Sequence, residues 1–247
     1  MSGDYVEVNG LKTYYEVQGD GEPLLLMHGG FCTVEVLSAL GSKLSRQYRV
    51  IAPERRGHGR TADVEGPFNY ERMAEDTTGI MDALGIESAH LVGFSDGANT
   101  ALVVAVQRPE LVKKLVSIGG NFHYNGIAPQ LHQFMDAATP ENFMQDLAVP
   151  YKKLSPDGPE HFPIVFAKII QMWKTEPKLT VEQLATIAAS SLIISADRDM
   201  ITLEHTLEMF RAIPNSQLYV VPRANHMTVI GKHVAPVSRA VLEFLAE

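Results

Sequence analysis

The sequence predicts an α/β fold with a mostly parallel central sheet of about eight strands, helices on both faces and a helical insertion. Over residues 1–120, short apolar runs typical of buried strands alternate with stretches typical of amphipathic helices. Residues 121–188 interrupt this alternation with helical patterns and no convincing strand, and strand patterns return in residues 189–247. The 247 residues, 45% of them hydrophobic, suit one domain with a sizeable core.

The individual elements follow from these patterns. Asn9-Gly10 is a two-residue turn signal, so the first two strands should form an antiparallel hairpin at the sheet edge. Strands are predicted at 5–8, 11–17, 23–27, 49–52, 88–92, 114–119, 192–196 and 217–221. Core helices are predicted at 34–44, 70–84, 98–106, 202–211 and 236–245, and insertion helices at 143–147, 162–174 and 181–187.

The interruption predicts two units. Residues 1–120 with 189–247 should form the core, and residues 121–188 should form a lid above the carboxyl ends of the strands, where open α/β sheets bind ligands. The predicted lid is rich in aromatic residues, including the single tryptophan, Trp173. These aromatic side chains either pack the lid onto the core or line an apolar pocket.

Composition excludes several classes of function. A formal net charge of −8 without a basic cluster argues against binding to nucleic acid or to an anionic membrane. No apolar run approaches the roughly 20 residues that span a bilayer. The single cysteine, Cys32, excludes an internal disulfide and fits a reducing, cytoplasmic setting. Composition leaves the oligomeric state open.

The pentapeptide Gly93-Phe94-Ser95-Asp96-Gly97 lies between a predicted strand and a predicted helix. In that context G-x-S-x-G is a nucleophile elbow, a sharp turn that exposes its serine at the helix N-terminus. The two glycines avoid clashes where backbone approaches backbone. Free N–H groups and the positive end of the helix dipole favour negative charge beside Ser95. Because the motif also occurs by chance, the prediction depends on finding its partners.

The acid partner is expected in the loop after the strand at 192–196. Asp197 and Asp199 both lie there, separated by Arg198. Asp197 is nearer the strand and could cap the turn or pair with Arg198. Asp199 lies farther into the loop, where its side chain can reach across the edge of the sheet, so we favour it as the acid.

The base is expected after the last strand, where His226 can lie above both Ser95 and Asp199. The order Ser, Asp, His along the chain is one of three that give the same catalytic geometry. His226 would accept the proton of Ser95 and return it to the leaving group, and Asp199 would fix the imidazole tautomer. A free serine hydroxyl is a poor nucleophile, so such a base is required.

An oxyanion hole needs two backbone N–H groups. Asp96, directly after the nucleophile, should supply one of them. The loop after the strand at 23–27 should supply the other, from Gly30 or from its neighbour Phe31. His28 is expected to brace this loop.

These motifs together resemble those of the serine α/β-hydrolases of the lidded esterase, lipase and peroxidase-like group. The resemblance covers nearly the whole chain and implies the α/β-hydrolase fold, a lid and Asp199 as the catalytic acid. Glu54 stands near the place where the family usually has Asp, and Ala196 stands where its acid loop usually begins with Gly. The matching segments are His28-Gly29-Gly30, Arg56-Gly57-His58-Gly59-Arg60-Thr61, Gly93–Gly97, Asp197-Arg198-Asp199-Met200-Ile201 and Asn225-His226.

The resemblance implies a hydrolase that cleaves carboxylic esters of small to medium apolar acyl groups through an acyl-enzyme. The sequence contains no H-E-x-x-H motif and no cysteine pair, so chemistry without a metal or cofactor is expected. Amide, lactone and C–C bond hydrolysis and perhydrolysis use the same triad and remain open, as does a small-molecule receptor with slow hydrolysis. Dehalogenases and epoxide hydrolases of this fold carry Asp where Ser95 stands. The side chains expected to bind substrate are Phe31, Phe122, Phe134, Trp173 and Met227.

Asp96 places an acidic side chain beside the nucleophile. One interpretation is a first-turn carboxylate that the helix dipole favours. The other is a carboxylate that points into the cleft and attracts a cationic group of the substrate, such as the amine of an amino-acid ester. The sequence does not choose between them.

Overall fold

The computed structural model describes residues 2–143 and 145–247, which form one mixed sheet with helices packed against both faces. Among these residues, no helix is long and apolar enough to span a bilayer. The strands are β1 Ser2–Val8, β2 Leu11–Gln18, β3 Glu22–Met27, β4 Tyr48–Pro53, β5 Ala89–Phe94, β6 Val112–Ile118, β7 Ser190–Ala196 and β8 Ser216–Val221. The helices are α1 Ser38–Leu44, α2 Tyr70–Ala83, α3 Asp96–Gln107, α4 Pro129–Ala137, α5 Gln145–Leu154, α6 Phe162–Thr175, α7 Val181–Leu184, α8 Leu203–Ala212 and α9 Val234–Ala246.

The strand order is β1-β2-β4-β3-β5-β6-β7-β8. β1 and β2 form the predicted hairpin, in which Asn9 and Gly10 both adopt positive φ, at 53° and 75°. Two positive φ values in sequence are what a type I′ turn requires. β2 also pairs antiparallel with β4, and all other pairs are parallel. The prediction of a mostly parallel α/β sheet is confirmed.

Two apolar cores lie on opposite faces of the sheet. Successive side chains of a strand point to opposite faces, so the continuous apolar run of β3 serves both cores. Leu25 and Met27 pack with α2, α3 and the insertion, whereas Leu24 and Leu26 pack with α1 and α9. All four side chains are almost completely buried. This is the arrangement that an uninterrupted apolar strand predicts.

The insertion, residues 121–188, contains helices α4 to α7 and no strand among its described residues. The helix predicted at 143–147 includes Met144, which lies outside the described residues. The described helix begins at Gln145, continues through Pro150 and ends at Leu154. The helix predicted at 181–187 is shorter and ends at Leu184.

Candidate active site

Ser95 occupies the sharp turn between β5 and α3. Its φ of 54° and ψ of −120° are strained for a residue with a side chain, and its N–H donates to the carbonyl of Ile118 at 2.8 Å. A Cβ at Gly93 would lie 2.3 Å from the carbonyl oxygen of Gly97, and one at Gly97 would lie 2.2 Å from that of Met27. Only glycine fits at these two positions, as the elbow motif predicts.

His226, in the loop after β8, joins the other two predicted triad residues. Its Nε2 lies 2.9 Å from Oγ of Ser95, and its Nδ1 lies 2.7 Å from Oδ1 of Asp199. A carboxylate only accepts hydrogen bonds, so Nδ1–H donates to Asp199. Nε2 is then free of a proton and can accept the hydrogen of the Ser95 hydroxyl.

The two aspartates of the acid loop have different surroundings. Burial alone would raise the pKa of Asp199, but the hydrogen bond and electrostatic attraction of the His226 imidazole, with N–H groups of Ile201 and Ala196, hold that pKa below its usual value. Asp197 instead accepts backbone N–H groups after β8, which lowers its pKa. Asp197 therefore ties the acid loop to the histidine loop, and Asp199 faces the imidazole.

Two backbone donors next to Ser95 remain unused. The loop after β3 lies against the nucleophile, since a Cβ at Gly29 would be 3.1 Å from Cβ of Ser95. The N–H of Phe31 donates to Nε2 of His58 at 3.1 Å, so it is already engaged. Among the described residues, the N–H groups of Gly30 and Asp96 have no hydrogen-bond partner. Gly30, and not Phe31, is therefore the candidate for the second oxyanion donor.

Two buried histidines brace this loop. Nδ1 of His28 bonds the carbonyl of Gly29 at 2.8 Å, and its Nε2 accepts the N–H of Arg55 at 3.2 Å. Nδ1 of His58 bonds the carbonyl of Arg56 at 2.9 Å. Burial and the charge of Arg55 lower the pKa of His28 well below its ordinary value and that of His58 to about 3. Both rings are therefore neutral. The sequence predicted bracing by His28 and missed it for His58, although the segment from Arg56 to Thr61 that contains His58 was among those that resemble the family.

A cavity of about 380 Å³ opens above Ser95 and His226. Its wall includes the predicted residues Trp173 and Met227, and it also includes Tyr70 and Glu176, which sequence analysis did not single out. The apolar part of the wall comes from the strand-end loops and the insertion, at Ile127, Leu131, Leu147, Met200 and Ile201. Three carboxylates line the cavity, those of Asp96, Asp146 and Glu176, and no Lys or Arg does so in the described chain.

Three residues predicted to bind substrate lie away from the cavity wall, which corrects the expected pocket. Phe31 is buried in the core, with its ring centroid 4.6 Å from that of Phe143. Phe122 stacks on His205 at 4.1 Å and donates its N–H to Nε2 of that ring. Phe134 is 38% exposed on the insertion surface. The rings of Phe31 and Phe122 therefore pack against other side chains, and the ring of Phe134 is partly exposed to solvent.

A sequence model of the α/β-hydrolase fold matches residues 22–152. The chain belongs to the α/β-hydrolase-fold family. This hydrolase is 31% identical over 261 residues to 2-hydroxymuconate semialdehyde hydrolase of Pseudomonas putida, an alignment that covers 96% of this chain and 92% of the relative. It is 31% identical over 134 residues to serine hydrolase BPHL of Mus musculus, covering 52% of this chain and 46% of that protein.

Solved structures agree with the assignment. The meta-cleavage product hydrolase CumD of Pseudomonas fluorescens IP01 is 26% identical, with a TM-score of 0.86 over 98% of this chain and 97% of that chain. The relatives are hydrolases, and several of them are C–C bond hydrolases. This family member is therefore a hydrolase.

Proposed function

We propose that this hydrolase cleaves carboxylic esters of small to medium apolar acyl groups through an acyl-enzyme on Ser95. The observation that carries the proposal is the hydrogen-bonded series from Asp199 through His226 to Ser95, whose hydroxyl lies at a mostly apolar cavity of about 380 Å³. A cavity of this size suits a small organic ligand.

The chemistry follows from the positions of the atoms. His226 takes the proton of the Ser95 hydroxyl as Oγ attacks the carbonyl carbon, and the N–H groups of Gly30 and Asp96 stabilise the oxyanion. Asp199 stabilises the imidazolium. When the intermediate collapses, His226 protonates the departing alcohol, and the acyl group stays on Ser95. Water, deprotonated by the same imidazole, then attacks the acyl-enzyme and releases the acid.

The charges of the cavity wall support a neutral acyl group. The wall contains three carboxylates and, within the described residues, no Lys or Arg. Burial raises the pKa of Asp96, which is almost completely buried, and of Glu176, which is partly buried, so water is partly excluded from both carboxylates. An anionic substrate group placed there would be repelled by these carboxylates, and no Lys or Arg side chain lines the described wall to pair with it.

C–C bond hydrolysis is the second candidate, favoured by similarity over nearly the whole chain to 2-hydroxymuconate semialdehyde hydrolase and CumD. A muconate semialdehyde carries a carboxylate. The absence of a basic side chain from the described cavity wall is the reason that we place ester hydrolysis first.

The test has two parts. A fluorophosphonate probe should label Ser95 in the wild type and nothing in Ser95→Ala. A panel should then compare neutral esters of increasing acyl length with a lactone, an amide and 2-hydroxymuconate semialdehyde. We expect the highest kcat/KM for a neutral ester. Faster turnover of the semialdehyde than of every ester would replace the first candidate by the second, and an unlabelled Ser95 would refute both. A burst of acylation without turnover would instead indicate a receptor.

A further inference from the structure

Asp96 has a buried carboxylate whose contacts the hydrolytic mechanism does not use. Its residue is only 3% exposed. Oδ1 accepts two hydrogen bonds, from the hydroxyl of Tyr70 and from Nε1–H of Trp173, each at 2.9 Å. Oδ2 has no partner among the described residues. The carboxylate is thus held in one place by two neutral donors.

The helix dipole does not account for this arrangement. The dipole attracts a first-turn carboxylate whether that carboxylate is exposed or buried. An exposed carboxylate would also keep its hydration, so the dipole gives no reason for burial. Burial instead raises the pKa of Asp96, against the charge of Arg55 and the donors Tyr70 and Trp173, which favour ionisation. A charge that is buried at this cost normally has a specific task.

The two donors belong to separate parts of the molecule. Trp173 lies on α6 of the insertion, and Tyr70 is the first residue of α2 in the core. Asp96 itself directly follows the nucleophile. One carboxylate oxygen therefore joins the insertion, the core and the nucleophile turn.

The same contact reaches the loop that carries the second oxyanion donor. A Cβ at Gly30 would lie 2.5 Å from Oδ2 of Asp96 and 2.6 Å from Cζ2 of Trp173. The next residue, Phe31, packs edge to face on Trp173, with ring centroids 5.4 Å apart. The backbone of this loop is therefore in contact with the indole and the carboxylate that bond each other.

We propose that Asp96 is a positioning residue that fixes Trp173 and α6 against the Gly30 loop, and so sets the geometry of the two oxyanion donors. The proposal rests on the proposed function of the site. Because an oxyanion exists only during the reaction, loss of this fixation lowers kcat more than it raises KM. This role differs from recognition of a cationic substrate group, which would change KM according to substrate charge.

Substitutions at Asp96 test the proposal without removing a backbone donor, since every variant keeps the N–H. Asp96→Ala removes the acceptor and lowers kcat for a neutral ester by about tenfold to a hundredfold, the effect expected of a sub-ångström to 1 Å misplacement. Asp96→Asn keeps an acceptor oxygen and retains a larger share of kcat. Trp173→Phe removes the indole donor and lowers kcat as Asp96→Ala does. The control is Glu204→Gln, an exposed first-turn carboxylate of α8, which leaves kcat unchanged.

Fluorescence gives a second measurement, because Trp173 is the only tryptophan. Asp96→Ala and Tyr70→Phe both increase quenching of Trp173 by acrylamide, while circular dichroism verifies that the variants are folded. The proposal is wrong if Asp96→Ala leaves kcat and quenching unchanged. It is also wrong if both Asp96 variants lose activity only towards cationic esters, which would assign recognition. Fluorophosphonate labelling of Ser95 in each variant separates these results from failure of the proposed function, in which the wild type itself is unlabelled.

Discussion

Nε2 of His226 lies 2.9 Å from Oγ of Ser95, although 131 positions separate the two residues along the chain. If this contact activates the hydroxyl, Ser95→Ala or His226→Ala should lower kcat by about 10⁴-fold or more. The measurement is ester turnover together with the thermal midpoint, which should change little because neither side chain belongs to the apolar cores.

The matched control is Ser45→Ala, which removes an exposed hydroxyl that bonds only the carbonyl of Ser42. It should retain both turnover and labelling by a fluorophosphonate. Turnover that persists in Ser95→Ala or in His226→Ala, in a preparation free of wild-type enzyme, would contradict the proposed roles.

The acid loop offers a paired comparison. Asp199→Asn should reduce kcat by about 10⁴-fold, because the amide no longer selects the imidazole tautomer with hydrogen on Nδ1. Asp197→Asn should retain most of kcat, since its carboxylate bonds the N–H groups of Arg223 and Ala224 and not His226. Measurement of kcat for both variants decides which aspartate is the catalytic acid. A greater loss of kcat in Asp197→Asn would reverse it.

The sequence was sufficient to place Ser95, Asp199 and His226 because each lies in the turn or loop that follows a strand with a clear apolar pattern. The carboxyl ends of parallel strands meet at one edge of a sheet, so residues in the loops that follow them are expected to lie close together. The glycines of the elbow added a local steric signal. Strand patterns and turn signals were likewise sufficient to predict the succession of strands and helices of the core along the chain.

The contacts that shape the pocket could not be predicted from local sequence patterns. Asp96 bonds Tyr70, 26 positions before it, and Trp173, 77 positions after it, and no local pattern links them. Helical periodicity in the insertion identifies apolar faces but does not say which of them meets the cavity. Phe122 and Phe134 were expected in the pocket because the insertion is rich in aromatic residues, but in the fold Phe122 stacks on His205 and Phe134 is partly exposed.

Gly30 is a position where one methyl group should matter. Gly30→Ala would place a Cβ within 2.6 Å of both Asp96 and Trp173, so the loop must shift and its N–H must move. We expect kcat to fall by about a hundredfold, as for a misplaced donor. In the control Gly41→Ala, within α1, the new Cβ would meet only Leu26, at 3.2 Å, and kcat should be unchanged. An active Gly30→Ala would argue against this donor.

His58 should make the protein less stable in acid. Burial and the charge of Arg55 lower its pKa from 6.5 to about 3, so the folded ring stays neutral while the unfolded chain binds a proton below pH 6.5. Its contribution to stability is therefore complete above pH 6.5 and is lost as the pH falls towards 3. Between pH 6.5 and about 5 the loss is about 2 kcal/mol.

Urea unfolding at both pH values measures this effect in wild type and His58→Gln. The variant is less stable at neutral pH because the neutral ring no longer braces Phe31, and the difference should shrink by about 2 kcal/mol at about pH 5. His233→Gln, at the beginning of α9, controls for loss of a histidine outside the loop. A difference that is the same at both pH values would show that His58 does not stay neutral in the fold.

Glu176 should discriminate between substrates by charge. It lines the cavity, and burial raises its pKa, so its partly buried carboxylate is only partly screened by water. Glu176→Gln should raise kcat/KM for an ester with an anionic acyl group by about fivefold relative to a neutral ester of the same size, which is about 1 kcal/mol for one partly screened charge. Glu160→Gln, an exposed change on the insertion away from the cavity, should leave the ratio as it is. Equal ratios in the wild type and Glu176→Gln would mean that the acyl group does not approach this wall, and the preference for neutral esters would then need another cause.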